Sequence, residues 1–441
     1  MVNNIKRKMN NIEIPLIRTI RYLGNKRKIL NEIHKIISDN VKDEGIVLDL
    51  FSGTNCVGYA LKNNYIVYSN DIQQYSYVIA KALIENNAIS VDQEQAKEDL
   101  SRNYLKNYNK LIKIYEEALE REDRFFCEDF NYSEYEKYKN FCDNFPYYNS
   151  NKISGYNNNF LSVFSEETIN QYRKNNLKFP YILFSTYFVN GYFRIRQCIQ
   201  IDSFRYAIEQ VNEEDSQIKK MIYLTALIYA INLCVSSTGH FAQFRNINSE
   251  TSCKEIIKER KKDIKKLFYS LINELFSNTP FGSDKNRSLN EDYLELLNEN
   301  NRLYSEIKNV DLVYADPPYT TDHYSRYYHV LETLIKYDYP SCIGKGRYRE
   351  DRYNSNFSLP RYAENEFTKL IRAISNINTK LLLSYTNVGL LSLRKLKKVC
   401  SKYFKNVHHK TIDYNHSNQG RKTFECNNGK VKRKEYLIYC E

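Results

Sequence analysis

The stretch GIVLDLFSG, Gly45–Gly53, joins an unbroken apolar run to a turn built on a serine and a glycine. Ile46, Val47, Leu48 and Leu50 read as a strand covered on both faces, because nothing in the run alternates with water-facing residues. Asp49 stands inside it, Gly53 closes it, and Val57–Leu61 opens a helix. A glycine turn between strand and helix lets a ligand approach the backbone N–H groups at the helix start. A phosphate-binding loop and a plain strand–helix turn both fit. There is no GxxxxGK[ST], and Asn55 occupies the middle position of the full GxGxxG pattern. Asn tolerates positive φ, so the turn can survive that substitution.

Working outward, YIVYSNDI (Tyr65–Ile72) is a second short strand closed by Asn70 and Asp71, followed by a helical pattern through Ile79, Ala80, Leu83 and Ile84. Upstream, the basic loop RYLGNKRK (Arg21–Lys28) precedes Ile29, Leu30, Ile33, Ile36 and Ile37 at helical spacing. Strands alternating with helices predict an α/β fold with a parallel sheet. From about residue 90 to 290 the pattern is mainly helical, with helices expected at Ala96–Glu120, Lys219–Ser236 and Lys254–Phe276. The α/β pattern resumes at Val310–Ala315 and Lys380–Asn387, then a helix over Leu391–Phe404 and strands at Val407–Tyr414 and Glu435–Cys440. The sheet is thus split in sequence by a large helical insertion, with parts 1–90, 91–285 and 286–441.

The 441 residues include 40 Tyr and 22 Phe but no Trp, and 42% are hydrophobic, enough to build a globular core. A net charge of +12 suits a polyanionic partner or simply a solvated basic surface. Ten cysteines form no CxxC pair and no Cys/His cluster, so neither a disulfide framework nor a metal site is expected, and a reducing, cytoplasmic setting fits. The N-terminal MVNNIKRKMNN lacks the apolar core of a signal peptide, and Met221–Val235, interrupted by Thr225 and Asn232, is too short to span a bilayer.

YADPPYT, Tyr314–Thr320, is the most specific element. Two prolines withdraw backbone donors and fix φ, so the strand stops with Asp316, the Pro317 carbonyl, Pro318 and Tyr319 displayed at a carboxyl end. A carboxylate beside a carbonyl offers two acceptors, matched to the two N–H groups of an amino group, and the aromatic ring can stack a base. Asp71, about twenty residues past the glycine turn, stands where α/β sheets hydrogen-bond a ribose, although a helix N-cap explains it too.

Together, Tyr22-Leu-Gly24-Asn-Lys26, the DLFSGT turn, Asp71 and DPPY resemble the S-adenosylmethionine-dependent D12-class DNA adenine-N6 methyltransferases. The resemblance spans both α/β halves and implies a Rossmann-like class I methyltransferase sheet with the target-recognition region inserted. It implies that Tyr22, Gly24, Lys26, Asp49, Phe51, Ser52, Gly53 and Thr54 bind the cofactor around its methionine end. Asp71 would take the ribose, and Asp292 and Tyr293 the adenine, Asp292 serving equally well as a helix-start acid. Catalysis would fall to Asp316, Pro317, Pro318 and Tyr319, with the base flipped out of double-stranded DNA onto Tyr319 and no metal. Lys345, Arg347, Arg349 and Arg352, in GKGRYREDRY, are candidates for phosphate contact, and the loop around His240 could lie near DNA. The absence of a Pro-Cys pair disfavours covalent cytosine-C5 chemistry.

Three rivals stay open: an RNA amino-methyltransferase, a cytosine-N4 enzyme, and a catalytically silent DNA-binding module. Any restriction endonuclease would be a separate chain, because no nuclease motif is evident.

Overall fold

The computed structural model describes residues 7–9, 12–14, 20, 24–128, 130–150, 155–211, 216–237, 239–278, 280–417 and 430–441. They form two compact units: Met1–Ile89 with Thr279–Tyr327 and Tyr353–Glu441, and Ser90–Asn278 with Tyr328–Arg352.

The first unit is a seven-stranded mixed sheet with helices. Its strands are β1 (Ile46–Asp49), β2 (Ile66–Asn70), β3 (Arg287–Leu289), β4 (Leu312–Ala315), β5 (Lys380–Thr386), β6 (Val407–Ser417) and β7 (Lys430–Cys440). They lie in the order β6-β7-β5-β4-β1-β2-β3, parallel from β5 to β3 and antiparallel at β6 and β7. The chain leaves β1 toward β2 and β3 and later returns on the other side of β1 as β4. That reversal opens a crevice at the carboxyl ends of β1 and β4, the usual ligand site of such sheets.

The sequence foretold every strand but β3, and in β1, β4 and β5 the signal is an apolar run buried on both faces: Val47, Leu48, Leu312, Val313, Leu381 and Leu383 are wholly inaccessible. Helix α1 (Leu30–Asn40) precedes β1, α2 (Cys56–Leu61) follows β1, and α3 (Gln74–Ala80) follows β2. The helical pattern through Leu83 and Ile84 continues as a π-helical turn, Lys81–Glu85, whose freed carbonyls find side-chain donors. Lys62 Nζ reaches Leu83 O at 2.6 Å, and Asn286 Nδ2 reaches Ile84 O at 3.1 Å. Asn286 also accepts from Val67 N at 2.9 Å, pinning β3, an edge strand too short for its sequence to signal. Helix α4 (Ala363–Asn376), not anticipated, presents Phe367, Leu370, Ile371 and Ile374 at helical spacing to the sheet core, and α5 (Leu393–Cys400) adds Leu396, Val399 and Cys400.

The second unit is helical, as its sequence predicts, with two boundaries corrected. Ala96–Glu120 is two helices, Gln93–Ile114 and Glu116–Asp123, meeting at Tyr115. Lys254–Phe276 breaks likewise into Glu250–Arg260 and Ile264–Phe276, because Asp263 caps the second helix by accepting from Lys266 N at 2.9 Å. The tyrosine-rich composition is explained here. Buried Tyr115, Tyr187 and Tyr192 fill the core and each hands its hydroxyl to a backbone carbonyl, Ser185 O at 3.1 Å, Pro340 O at 3.0 Å and Phe241 O at 2.6 Å. No helix among the described residues is long and apolar enough to cross a membrane.

Candidate active site

The carboxyl ends of β1, β2 and β4 open into one cavity of the first unit. Gly24, Lys26, Asp49, Phe51, Ser52, Gly53, Thr54, Asp71, Asp292, Tyr293, Asp316 and Pro318 all line it, although they come from five separate stretches. Tyr22 lies outside the described residues.

The glycine turn is held by the acid that follows β2. Gly53, at φ 51°, aims its N–H at Asp71 Oδ2 at 2.9 Å, and Asp71 Oδ1 accepts from Gln73 N at 2.9 Å. Asp71 is therefore not the cap of α3, whose N-cap is Gln73. Both carboxylate oxygens keep acceptor capacity for a ligand. Asn55 sits in the left-handed region at φ 59° and does what a glycine there could not. Its Nδ2 donates to Ser76 O at 3.0 Å and its Oδ1 accepts from Ser69 Oγ at 2.6 Å, tying the turn to β2 and α3.

Asp292 caps a short helix, accepting from Leu294 N at 2.8 Å, as a helix-start acid would, and it also lines the cavity. Tyr293, Phe51 and Phe357 form a triangle of rings with centroids 5.4–5.8 Å apart. The Tyr293 hydroxyl is fixed by Glu366 Oε1 at 2.8 Å. Ile72, 39% exposed, adds an apolar surface to the lining. Sequence reading missed Phe357, Glu366 and Ile72, since none belongs to a motif.

At the β4 end, Asp316 Oδ1 lies 3.1 Å from Lys26 Nζ. Lys26 also donates to Glu435 Oε1, approaches Tyr319 OH at 3.4 Å and stands 5.1 Å over the Tyr319 ring. Burial pulls the Lys26 ammonium down, but Asp316 and then Glu435 outweigh it and hold it well above the lysine range. Burial pushes the Asp316 carboxyl up to about 7, opposed by Lys26 and reinforced by Glu435. Asp49, by burial and then the charges of Asp316 and Asp71, is held well above the usual carboxylate range. Burial also pushes the Cys56 thiol up to about 12, so the cysteine lining the cavity stays protonated and is no nucleophile.

Tyr319 is 8% exposed, its ring packed edge-on against Tyr385 and capped by Lys26. Gly24, at φ 75°, leaves room for this arrangement, since a Cβ there would stand 3.2 Å from Tyr319 OH and 3.1 Å from Tyr324 OH.

Electrostatics narrow the ligand. Among the described residues the lining carries six carboxyl side chains, Asp49, Asp71, Glu291, Asp292, Asp316 and Glu366, against the ammonium of Lys26. That balance repels a polyphosphate and suits a ligand with cationic centres, which removes the phosphate-loop alternative.

The basic loop needs correction at two of its four candidates. Arg347 is buried and donates to Tyr187 O at 2.6 Å and Val189 O at 2.8 Å, its guanidinium 3.8 Å from the Tyr147 ring centroid. Arg349 is buried in a bidentate pair with Asp338, at 2.6 and 2.7 Å, and also bonds Asp351. Both satisfy the interior of the second unit and cannot also serve as phosphate contacts. Lys345 is exposed, bonded to Asn246 Oδ1 at 2.6 Å, and Arg352 is half-buried against Tyr348. His240 accepts from Ala242 N at 3.2 Å, a local structural bond.

The chain is 26% identical to the modification methylase LlaI of Lactococcus lactis subsp. lactis over 86% of its length and 48% of that protein. Type II methyltransferase M.FokI of Planomicrobium okeanokoites is likewise 26% identical, over 86% of this chain and 46% of its own. The chain thus spans about half the length of these curated relatives. M.NlaIII of Neisseria lactamica is 25% identical over 88% of the chain and 89% of the relative. A family profile matches residues 22–384, from the Lys26 loop through DPPY to β5, and the chain belongs to the D12 class N6 adenine-specific DNA methyltransferases.

Proposed function

We propose that this chain transfers a methyl group from S-adenosyl-L-methionine to the N6 amino group of adenine at a specific site in double-stranded DNA, as the modification partner of a restriction system. One observation carries the reading: the Asp316 carboxylate, at the end of β4, opens onto a cavity lined by carboxylates and held beside Lys26. The cavity suits this cofactor, whose sulfonium and ammonium are cationic, whose ribose has hydroxyls for Asp71, and whose adenine has an aromatic neighbourhood at Phe51, Tyr293 and Phe357. Asp292 would serve that adenine too, while Gly24, Lys26, Asp49, Ser52, Gly53 and Thr54 would surround the methionine end. When bound, the cofactor supplies an electrophilic methyl group.

The protein's own contribution is at the amino group. The N6 lone pair is delocalised into the adenine ring and is a poor nucleophile. Asp316 and the Pro317 carbonyl accept hydrogen bonds from its two N–H groups, which localises the lone pair, while Pro318 keeps both acceptors rigid; once the nitrogen has taken the methyl group, the proton it sheds would pass to the Asp316 carboxylate. Positioning supplies most of the acceleration. Because the Asp316 carboxyl lies near 7, its accepting, ionised form develops as the pH rises through neutrality. Tyr319 would stack the flipped base with whatever of its ring the Lys26 contact leaves accessible. The second unit, residues 91–285 in the main, would read the DNA sequence, with Lys345 and Arg352 as phosphate contacts. A cognate restriction endonuclease would be a separate chain.

Incubation of the chain with labelled cofactor and double-stranded DNA, followed by nucleoside analysis, tests this. N6-methyladenine in DNA is the expected product. Label in RNA alone, or N4-methylcytosine alone, would assign a rival chemistry, and binding without transfer would leave a silent module.

A further inference from the structure

The family profile ends at residue 384, yet the cluster around Asp316 is completed from fifty residues beyond it. Glu435 lies on β7, opposite Thr386 of β5, and is 1% exposed. Its Oε1 accepts from Lys26 Nζ and from Ser384 Oγ, the latter at 3.0 Å. The Lys26 ammonium has three N–H groups, and three oxygens surround it: Asp316 Oδ1, Glu435 Oε1 and Tyr319 OH. Glu435 does not line the cavity. We propose that Glu435 is a positioning residue for methyl transfer: through Lys26 it sets the place and the charge of Asp316.

Three facts support this. A lysine ammonium on a flexible four-carbon stem is not located by Asp316 alone, and a second carboxylate across from it removes that freedom. Glu435 is itself located, by sheet pairing on its backbone and Ser384 on its side chain. The charges also need it. Lys26, Asp316 and Glu435 together carry a net negative charge when ionised, where Lys26 and Asp316 alone would cancel. The cluster therefore keeps negative the side of the cavity that would meet a cationic ligand, while the charge of Glu435 opposes Lys26 and holds the Asp316 carboxyl higher than Lys26 alone would. Among the described residues the titratable groups that act on Asp316 are Lys26, Glu435, Asp49, Cys56 and Tyr314, with Tyr319 reaching it through Lys26, and Glu435 is the one supplied from β7.

The inference rests on the proposed methyl transfer, and its test separates the two. The rate of labelled methyl transfer to DNA is measured against pH for the unaltered chain, Glu435→Gln and Glu435→Asp, with cofactor affinity measured by calorimetry. Glu435→Gln removes a negative charge beside Asp316, so the acid limb of the kcat/KM profile should move down by on the order of one pH unit. Glu435→Asp keeps the charge but withdraws the carboxylate by one methylene from Lys26. Its limb should stay in place while kcat falls roughly tenfold to a hundredfold at nearly unchanged cofactor Kd. A purely structural Glu435 would leave the limb of any folded variant unmoved. An active parent with an unmoved limb in the Gln variant overturns the inference, as does a full kcat in the Asp variant if the Gln variant does not fold. An unaltered chain that transfers no methyl group to DNA at any pH overturns the functional reading instead.

Discussion

Asp316→Asn tests whether the site is held at the expense of the fold. Burial raises the Asp316 carboxyl from the ordinary 3.8 to about 7 in the folded protein. A carboxyl whose folded pKa lies above its unfolded one favours the fold when protonated, and that advantage is lost as pH rises from about 4 to 7. At about 1.4 kcal/mol per pH unit, the raised pKa costs the native state, relative to full protonation, about 1.5 kcal/mol at pH 5, where only the unfolded chain ionises, and about 4 kcal/mol at pH 8. Asparagine has nearly the same shape and cannot ionise, and Lys26 retains Glu435 as its partner. The variant should therefore gain stability relative to the parent by about 2.5 kcal/mol between pH 5 and pH 8, whatever its intrinsic offset. Urea unfolding of both proteins at the two pH values measures that difference, and methyl transfer by the variant should be abolished at both. A stability gap that does not change with pH would refute the argument, since it would mean that Lys26 already compensates the buried carboxylate fully. A variant that loses stability at the higher pH would refute it more strongly, because the ion pair would then outweigh desolvation.

Asp71→Ala removes the acceptor of two backbone N–H groups, and should cost about 2–4 kcal/mol in urea unfolding together with a loss of cofactor affinity by calorimetry. Unchanged stability would mean that water replaces the carboxylate in the turn. Asn55→Gly keeps the left-handed backbone but deletes the bonds to Ser69 and Ser76, so about 1–3 kcal/mol should be lost despite the better turn residue. A stabilised Gly variant would show that backbone conformation alone matters there. Gly24→Ala combines positive φ with a Cβ pressed toward two tyrosine hydroxyls, and should cost at least about 1 kcal/mol while lowering kcat more than it raises the cofactor KM. An Ala variant with parental kcat would show that Tyr319 and Lys26 tolerate displacement.

The α/β half of this protein was readable because its parts are local. An apolar run such as Ile46–Leu48 can only be a doubly covered strand, and the prolines after Asp316 can only end one. Gly53 and Asp71 are near in sequence and meet across a single turn. The boundaries that failed did so where a side chain competes with the pattern, as Asp263 does by capping a new helix in the middle of an apolar stripe. The helix Ala363–Asn376 and the strand Arg287–Leu289 passed unseen, the second because three residues at a sheet edge need no apolar run.

Sequence by itself determined the apolar strands of the sheet, the glycine turn, the acid after β2 and the strand end at DPPY, since backbone restriction and burial periodicity act over a few residues. Tertiary structure alone decided what the charges do. GKGRYREDRY has the same composition whether its arginines face water or the interior, and only packing commits Arg347 to carbonyls and Arg349 to Asp338. Likewise no spacing links Lys26 to Glu435, 409 residues apart. Their meeting depends on β7 pairing with β5 in one register, and the energy of a buried charge is set by neighbours in space rather than along the chain.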